Sequence, residues 1–228
     1  MKRYRFSLIV LLCCTCLACN DFLTEYSHDQ AYVQSYSDLD ELIIGSGYMK
    51  CAGTYDYTYY STAKETYYPY VHFMADETEV RNTGTYDYYG ESFLKMFYGF
   101  YTWQKDVDKD HEGTVGWTEN QDWINLYKHI NITNIILSQI DNQTIQTEND
   151  QRNVNRIKGE AHFLRGAYYF VLANLYGKPY SSISAKTDLA VPIKLTENIE
   201  DKVYTRATVE KTYEQVLEDL LTAEKHLK

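Results

Sequence analysis

One stretch constrains the fold more than any other: Arg152 to Tyr180, RNVNRIKGEAHFLRGAYYFVLANLYGKPY. Ile157, Ala161, Leu164, Tyr168, Leu172 and Leu175 recur at three- and four-residue spacing. That spacing puts them on one buried face of a helix running to Tyr176. Phe163, Gly166, Ala167, Phe170 and Ala173 fall on an adjacent face, where the small residues admit a neighbouring backbone. A helix buried on two sides needs helical neighbours before and after it, as in stacked helical-hairpin repeats. Gly177 predicts a left-handed C-cap, and Pro179 forbids continuation.

The flanking sequence supplies those neighbours. Trp117 to Asp141 predicts a helix buried through Trp123, Leu126, Tyr127, Ile130, Ile136, Leu137 and Ile140. Asn142 to Asp150 is a polar connection, so the next helix returns antiparallel in a hairpin of tetratricopeptide type. Ser181 to Val203 is an excursion in which Pro192 pushes Val191 out of helix within the extended run Leu189 to Ile193. A last helix runs to Lys228, capped by Thr205 or Thr208 with Glu210 favouring the dipole. Its predicted apolar stripe is Tyr213, Val216, Leu217, Leu220 and Leu221. No atypical capping unit follows, so the sequence is expected to be the N-terminal part of a longer protein.

Earlier, Ser37 is the predicted cap of a short helix with Asp38, Asp40 and Glu41 in its first turn and Leu39, Leu42 and Ile43 as its stripe. Gly45 and Gly47 end it. Residues 47–101 hold 13 of the 24 tyrosines and show no long helical period. They predict loops, short helices and a short hairpin, with helix resuming at about Glu91 to Gln104 on Phe93, Phe97, Phe100 and Tyr101. Asp106 to Gly116 predicts an exposed loop. The expected fold is all-α: tetratricopeptide-like hairpins at about 117–228 with an irregular, aromatic-rich loop region.

The N-terminus reads as an address. Lys2, Arg3 and Arg5 precede an apolar run from Phe6 to Ala18, too short for a membrane span and suited to a secretory signal peptide over 1–18. Cys16-Leu17-Ala18-Cys19 is similar to a bacterial lipobox, with Cys16 where leucine is usual. Lipidation is expected at Cys19, with residues 19–36 as a tether and 37–228 as the folded part. Stable anchoring takes more than one acyl chain, and lipoproteins of this type carry several, palmitate among them. Four of the five cysteines lie in the first 20 residues and only Cys51 lies in the body, which excludes a disulfide framework and a cysteine-based zinc site. Formal net charge is −10, and loss of 1–18 takes it to −13. A surface of that sign does not bind nucleic acid, which needs clustered Lys and Arg.

Three blocks in order carry a family resemblance: CNDFLTE from Cys19, GEAHFLRGAYYFVLANLYGKPY from Gly159, and AVPI with RATVEKTYEQVLEDLLTAEKHL towards the end. WINLYKHINITNIILSQID resembles the helix that precedes the second block in the same family. Together they resemble the SusD/RagB family of outer-membrane lipoproteins. The resemblance implies an α-helical fold with tetratricopeptide-like helix pairs and a lipid-anchored, surface-exposed position on the outer membrane. It also implies docking onto a SusC-like TonB-dependent transporter and binding of an oligosaccharide or other nutrient without catalysis. In the family the ligand site lies in the irregular part, away from the repeats, and this chain lacks the family's C-terminal half.

No nucleophile motif and no H-E-x-x-H occurs, and no metal or cofactor is expected. His72, His111 and His162 are scattered. Asp76, Glu77 and Glu79 suit a glycosidase only if a partner acid faces them across a cleft, so a lipid-anchored hydrolase is a minor alternative. Asp106, Asp108 and Asp110 alternate like a calcium loop, but no glycine stands at its sixth position. The remaining signal is aromatic. Sugar C–H faces stack on large rigid rings while hydroxyls take polar partners. Arg81, Asn82, Tyr86, Tyr88 and Trp103 are therefore the expected ligand contacts. A helical-repeat adaptor that binds only a protein partner is the other alternative.

Overall fold

The computed structural model describes residues 33–49, 74–76, 98–107, 120–198 and 200–228. Among them the regular structure is helical. α1 is Tyr36–Leu42, continued by a π-helical turn Ile43–Gly47. α2 is Tyr98–Tyr101. α3 is Asn120–Gln139, extended by a 3₁₀ turn Ile140–Asn142. α4 is Glu148–Tyr176 and α5 is Val209–Leu227. One isolated antiparallel bridge pairs Leu189 with Thr208. These elements belong to the compact unit Ser35–Lys228.

α4 begins four residues before Arg152, because Thr147 and Asp150 form a reciprocal capping box. Asp150 N–H donates to Thr147 Oγ1 at 3.1 Å, and Thr147 N–H donates to Asp150 Oδ2 at 2.9 Å. Such a cap contributes about 1 kcal/mol. Tyr36 Oη–H donates to Asp150 Oδ1 at 2.9 Å, tying α1 to this corner. That bond, with those from Gln146 and Thr147, holds the Asp150 carboxyl below its ordinary pKa. The connection between α3 and α4 is thus shorter than the predicted 142–150. A similar shift occurs at α1, whose N-cap is Ser35 rather than Ser37: Ser35 N–H donates to Asp38 Oδ2 at 3.0 Å.

The other end of α4 corrects a prediction. Gly177 is extended, with φ −85° and ψ 169°, and not left-handed. Its N–H donates to Ala173 O at 2.9 Å. A Cβ at Gly177 would strike Ala173 O and come within 3.3 Å of Ala190 Cα. Glycine is required here chiefly by the Ala173 carbonyl of its own helix, with the returning chain at Ala190 close behind, rather than by a positive φ.

The three long helices are consecutively antiparallel. Trp123 meets Tyr176 with ring centroids 5.1 Å apart, Tyr127 meets Tyr169 at 6.5 Å, and Lys158 Nζ reaches Asp141 at 2.6 Å. Rising positions on α3 thus face falling positions on α4. The same reversal links α4 to α5, where a Cβ on Gly159 would meet Leu227 and one on Gly166 would meet Asp219 and Leu220. Leu126, Ile130, Ile136, Ile140, Ile157, Ala161, Leu164, Tyr168, Tyr169 and Leu172 form the core. Trp123, Tyr127, Leu137 and Leu175, predicted as buried, are half-buried. Phe163 and Phe170 stay about half exposed. On α5 the buried face is Val209, Thr212, Val216, Asp219 and Ala223, whereas Leu217 and Leu221 face outward. Of the predicted stripe Val216 is buried and Tyr213 half-buried, but Leu217 and Leu221 are not, because α5 turns a polar residue, Asp219, toward α4.

Asp219 has a partner there. Arg165 Nε and Nη2 donate to its two oxygens at 3.0 and 2.7 Å, and Arg165 Nη1 donates to Asn134 Oδ1 at 3.0 Å. His162 Nδ1 lies 2.8 Å from Asp219 Oδ1, and Gln215 Nε2 donates to Oδ2 at 3.2 Å. One buried charge pair therefore bridges α3, α4 and α5. Burial opposes ionisation of Asp219, but the bonds from His162 and Arg165 outweigh it and hold the carboxyl below its ordinary pKa. On the opposite face His129 Nδ1 donates to Ser46 O at 2.8 Å, and Tyr168 Oη–H donates to Gly47 O at 2.6 Å. These two bonds fasten the π-helical turn to the hairpin.

The excursion after α4 is extended, as Pro192 predicts. Ala190 N–H donates to Ala207 O at 2.8 Å, and Ala207 N–H donates to Val191 O at 3.0 Å. Tyr127 Oη–H donates to Pro192 O at 2.6 Å, and Tyr169 Oη exchanges bonds with Lys194 N and O at 2.8 Å. Burial, its main cause, raises the pKa of both phenols, that of Tyr169 to about 12. α5 is capped by Thr208, whose Oγ1 accepts from Lys211 N–H at 3.3 Å.

Candidate functional site

Of the expected ligand contacts, Trp103 lies among the described residues. Arg81, Asn82, Tyr86 and Tyr88 lie outside them, as does Cys19. Trp103 is therefore the member of the aromatic set whose local geometry can be described.

α2 ends in a Schellman turn. Trp103 N–H donates to Phe100 O at 3.2 Å, and Gln104 N–H donates to Gly99 O at 2.8 Å. Thr102 Oγ1–H adds a bond to Tyr98 O at 2.6 Å. This pairing places Trp103 at the residue after the helix cap, which the motif requires in left-handed conformation. Trp103 adopts it, with φ 54°. Glycine normally fills that position because any Cβ is disfavoured there, by roughly 1–2 kcal/mol. The helix thus stops before the predicted Gln104. Gly99 is needed for a different reason: a Cβ there would strike the backbone of Val107, at 2.6 Å from Cα, where the chain folds back over the helix.

The strained residue also carries the most exposed aromatic ring among the described residues. Trp103 is 69% accessible. A fold under no other demand would bury an indole or replace it with glycine here. A large rigid ring held out by a conformation that costs free energy is the kind of outlier from which function is inferred. The indole can offer a flat apolar face for stacking and one N–H donor at its edge.

The acid-based readings find little geometry. Asp76 lies in the turn 74–76 and is exposed, while Glu77, Glu79, His72 and His111 lie outside the described residues. Asp108, Asp110 and Cys51 lie outside them too, so the calcium-like spacing is represented by Asp106 alone. Among the described residues no group of three His, Cys, Asp or Glu side chains converges as a metal site would need. His162 is part of the Arg165–Asp219 network. Sequence periodicity missed that network, because a period marks apolar positions and is silent on buried polar ones. An arginine and a histidine on the helical face beside small residues were the available signal.

The SusD-like family model, described as starch-binding and associating with the outer membrane, matches residues 64–228. Among solved structures, a SusD superfamily protein from Bacteroides thetaiotaomicron VPI-5482 is 23% identical with a TM-score of 0.56 over 85% of this chain and 38% of its own. A candidate sugar-binding protein from Bacteroides vulgatus ATCC 8482 is 20% identical with a TM-score of 0.60, over 87% of this chain and 38% of its own. A SusD-like carbohydrate-binding protein from the same strain is 20% identical with a TM-score of 0.54, over 84% and 35%. The chain thus spans well under half the length of these structures. No curated protein matches it.

Proposed function

This chain belongs to the SusD-like family, and from that premise we propose that it is a cell-surface lipoprotein that binds a glycan and hands it to a SusC-like TonB-dependent transporter. Lipidation falls on Cys19, residues 19–36 form the tether, and the helical part 37–228 is the N-terminal part of the full SusD-like domain. The protein binds and does not catalyse. Trp103 is the stacking platform, with Arg81, Asn82, Tyr86 and Tyr88 supplying further rings and polar partners.

The observation that supports this reading is the exposed indole on left-handed backbone at Trp103. Removing an aromatic anchor of this kind costs on the order of 2 kcal/mol, about thirtyfold in affinity. Calorimetric titration of the mature protein with a panel of starch oligosaccharides and other glycans, repeated with Trp103→Ala, tests it. Saturable binding that weakens about thirtyfold in the variant is expected. Flat heats throughout the panel would leave the adaptor reading, which the outward-facing Phe163, Phe170, Leu217 and Leu221 favour as a surface for protein contact.

A further inference from the structure

After α4 the chain leaves through Gly177 and Lys178, turns at residues 181–187, and comes back so that Lys178 N–H donates to Leu189 O at 3.3 Å. Beside this crossing lies an open depression of about 500 Å³, with Tyr176, Pro179 and Leu189 as apolar lining and Lys178, Asp188 and Arg206 as polar lining. That volume falls within the range of small-molecule sites, about 300–1,000 Å³.

The polar groups here differ in how they are held. Arg206 is fixed by two backbone carbonyls: Nε donates to Ala190 O at 2.6 Å and Nη2 to Tyr176 O at 2.5 Å. Its Nη1 edge makes no hydrogen bond among the described residues. Asp188 serves the fold through its backbone, accepting from Val209 N–H and donating to Ser184 O, both at 2.8 Å. Its half-buried carboxylate has no side-chain partner among the described residues, and neither does the Lys178 ammonium. Unpaired ions beside apolar surface are suited to a ligand that is amphipathic on the scale of one ring. A pyranose is that: its C–H face can lie on apolar surface such as Leu189, its vicinal hydroxyls can donate to the two oxygens of a carboxylate such as Asp188, and its ring and hydroxyl oxygens can accept from Arg206 and Lys178.

We propose that this depression is a second saccharide site, on the helical part of the protein and separate from Trp103, taking one end of a neutral glycan. The proposal rests on the carbohydrate-binding reading above. Its role is to hold a long glycan at a second point, so that two weak sites act together at an effective concentration far above that of free sugar.

The test is a titration of isotopically labelled mature protein with maltotriose, followed by two-dimensional amide NMR, in wild type and Asp188→Asn. Asparagine keeps the backbone bonds and the volume, and removes the charge that strengthens the accepted hydrogen bonds. Expected are saturable shifts at Lys178, Thr187, Asp188 and Leu189, with about tenfold weaker binding at these amides in the variant and no change at Trp103. Shifts confined to the Trp103 turn, or equal affinity in the variant, overturn the second site alone. If neither maltotriose nor any glycan of the wider panel moves an amide, both this site and the carbohydrate reading fall.

Discussion

Asp219→Asn is the substitution with the largest expected cost per atom changed. Asp219 is 1% exposed and accepts from Arg165 twice, from His162 and from Gln215. Asparagine is isosteric, so no cavity enters the comparison. It does remove the carboxylate facing a guanidinium that is itself 9% exposed. It also turns one accepting oxygen into a donor aimed at other donors. Breaking a buried pair by removing one partner costs about 3–5 kcal/mol, because the remaining charge stays desolvated. Against a total of about 5–15 kcal/mol, that is readable. The assay is urea unfolding of the non-lipidated mature chain, followed by helical circular dichroism. With a slope near 2 kcal/mol/M, the midpoint should fall by roughly 1.5–2.5 M. Replacing both partners, Arg165→Met with Asp219→Leu, should lose far less, since an apolar pair of similar volume is often neutral against a buried ion pair. A loss below about 1 kcal/mol for Asp219→Asn, or a double variant worse than the single one, would refute the reasoning.

Gly166→Ala should lose about 1 kcal/mol despite the gain in helix propensity, because its Cβ would sit 3.2 Å from the Cβ of the anchored Asp219. Gly159→Ala should lose less than Gly166→Ala, since its new Cβ meets His226 Cβ at 3.2 Å and the Leu227 side chain at 2.7 Å, both in the last residues of α5, where Leu227 is half exposed and can swing aside; thermal melts giving the reverse order would contradict the packing described. His129 has a folded pKa below the ordinary 6.5, through burial opposed by its bonds to Ser46 and Gly47. Below pH 6.5 the unfolded chain therefore takes up a proton that the folded one refuses, so stability should fall as pH drops from 7.5 to 5.5. His129→Gln, which can still donate to Ser46, should flatten that slope in urea midpoints, and parallel slopes would count against it. Cys19→Ser should move the protein from the detergent phase to the aqueous phase in a two-phase partition, whereas an unchanged distribution would remove the lipid anchor from the account.

The helical frame was legible because its periods are apolar. Leu126, Ile130, Leu164, Tyr168 and Leu172 recur at helical spacing and are buried. Helix ends were less so. Thr147 and Asp150 form a capping box with aspartate where glutamate is the usual signal, so the start of α4 looked like loop. Gly177 was correctly marked as necessary, but for the wrong geometry, since sequence does not distinguish a positive φ from a crowded backbone. The face of α5 was legible only in part: Val216 and Tyr213 do turn inward, but Leu217 and Leu221 are more apolar than Asp219, and only the position of Arg165 makes the acid the inward residue. At the candidate site, aromatic composition pointed to Trp103 but not to its left-handed backbone. Nothing in the letters YTWQ marks a Schellman turn whose glycine has been replaced. The depression near Asp188 was invisible because it is made by a crossing of residues 178 and 189.

The central claim is that Trp103 is kept in a costly conformation for the sake of its ring. Trp103→Gly separates the two sides of that claim in one protein, because glycine relieves the left-handed backbone and deletes the indole together. Parallel measurement of unfolding midpoint and oligosaccharide affinity on this variant should show stability raised by about 1 kcal/mol and binding weakened about thirtyfold. A variant that binds its glycan as tightly as wild type, or one that is less stable, would contradict the account.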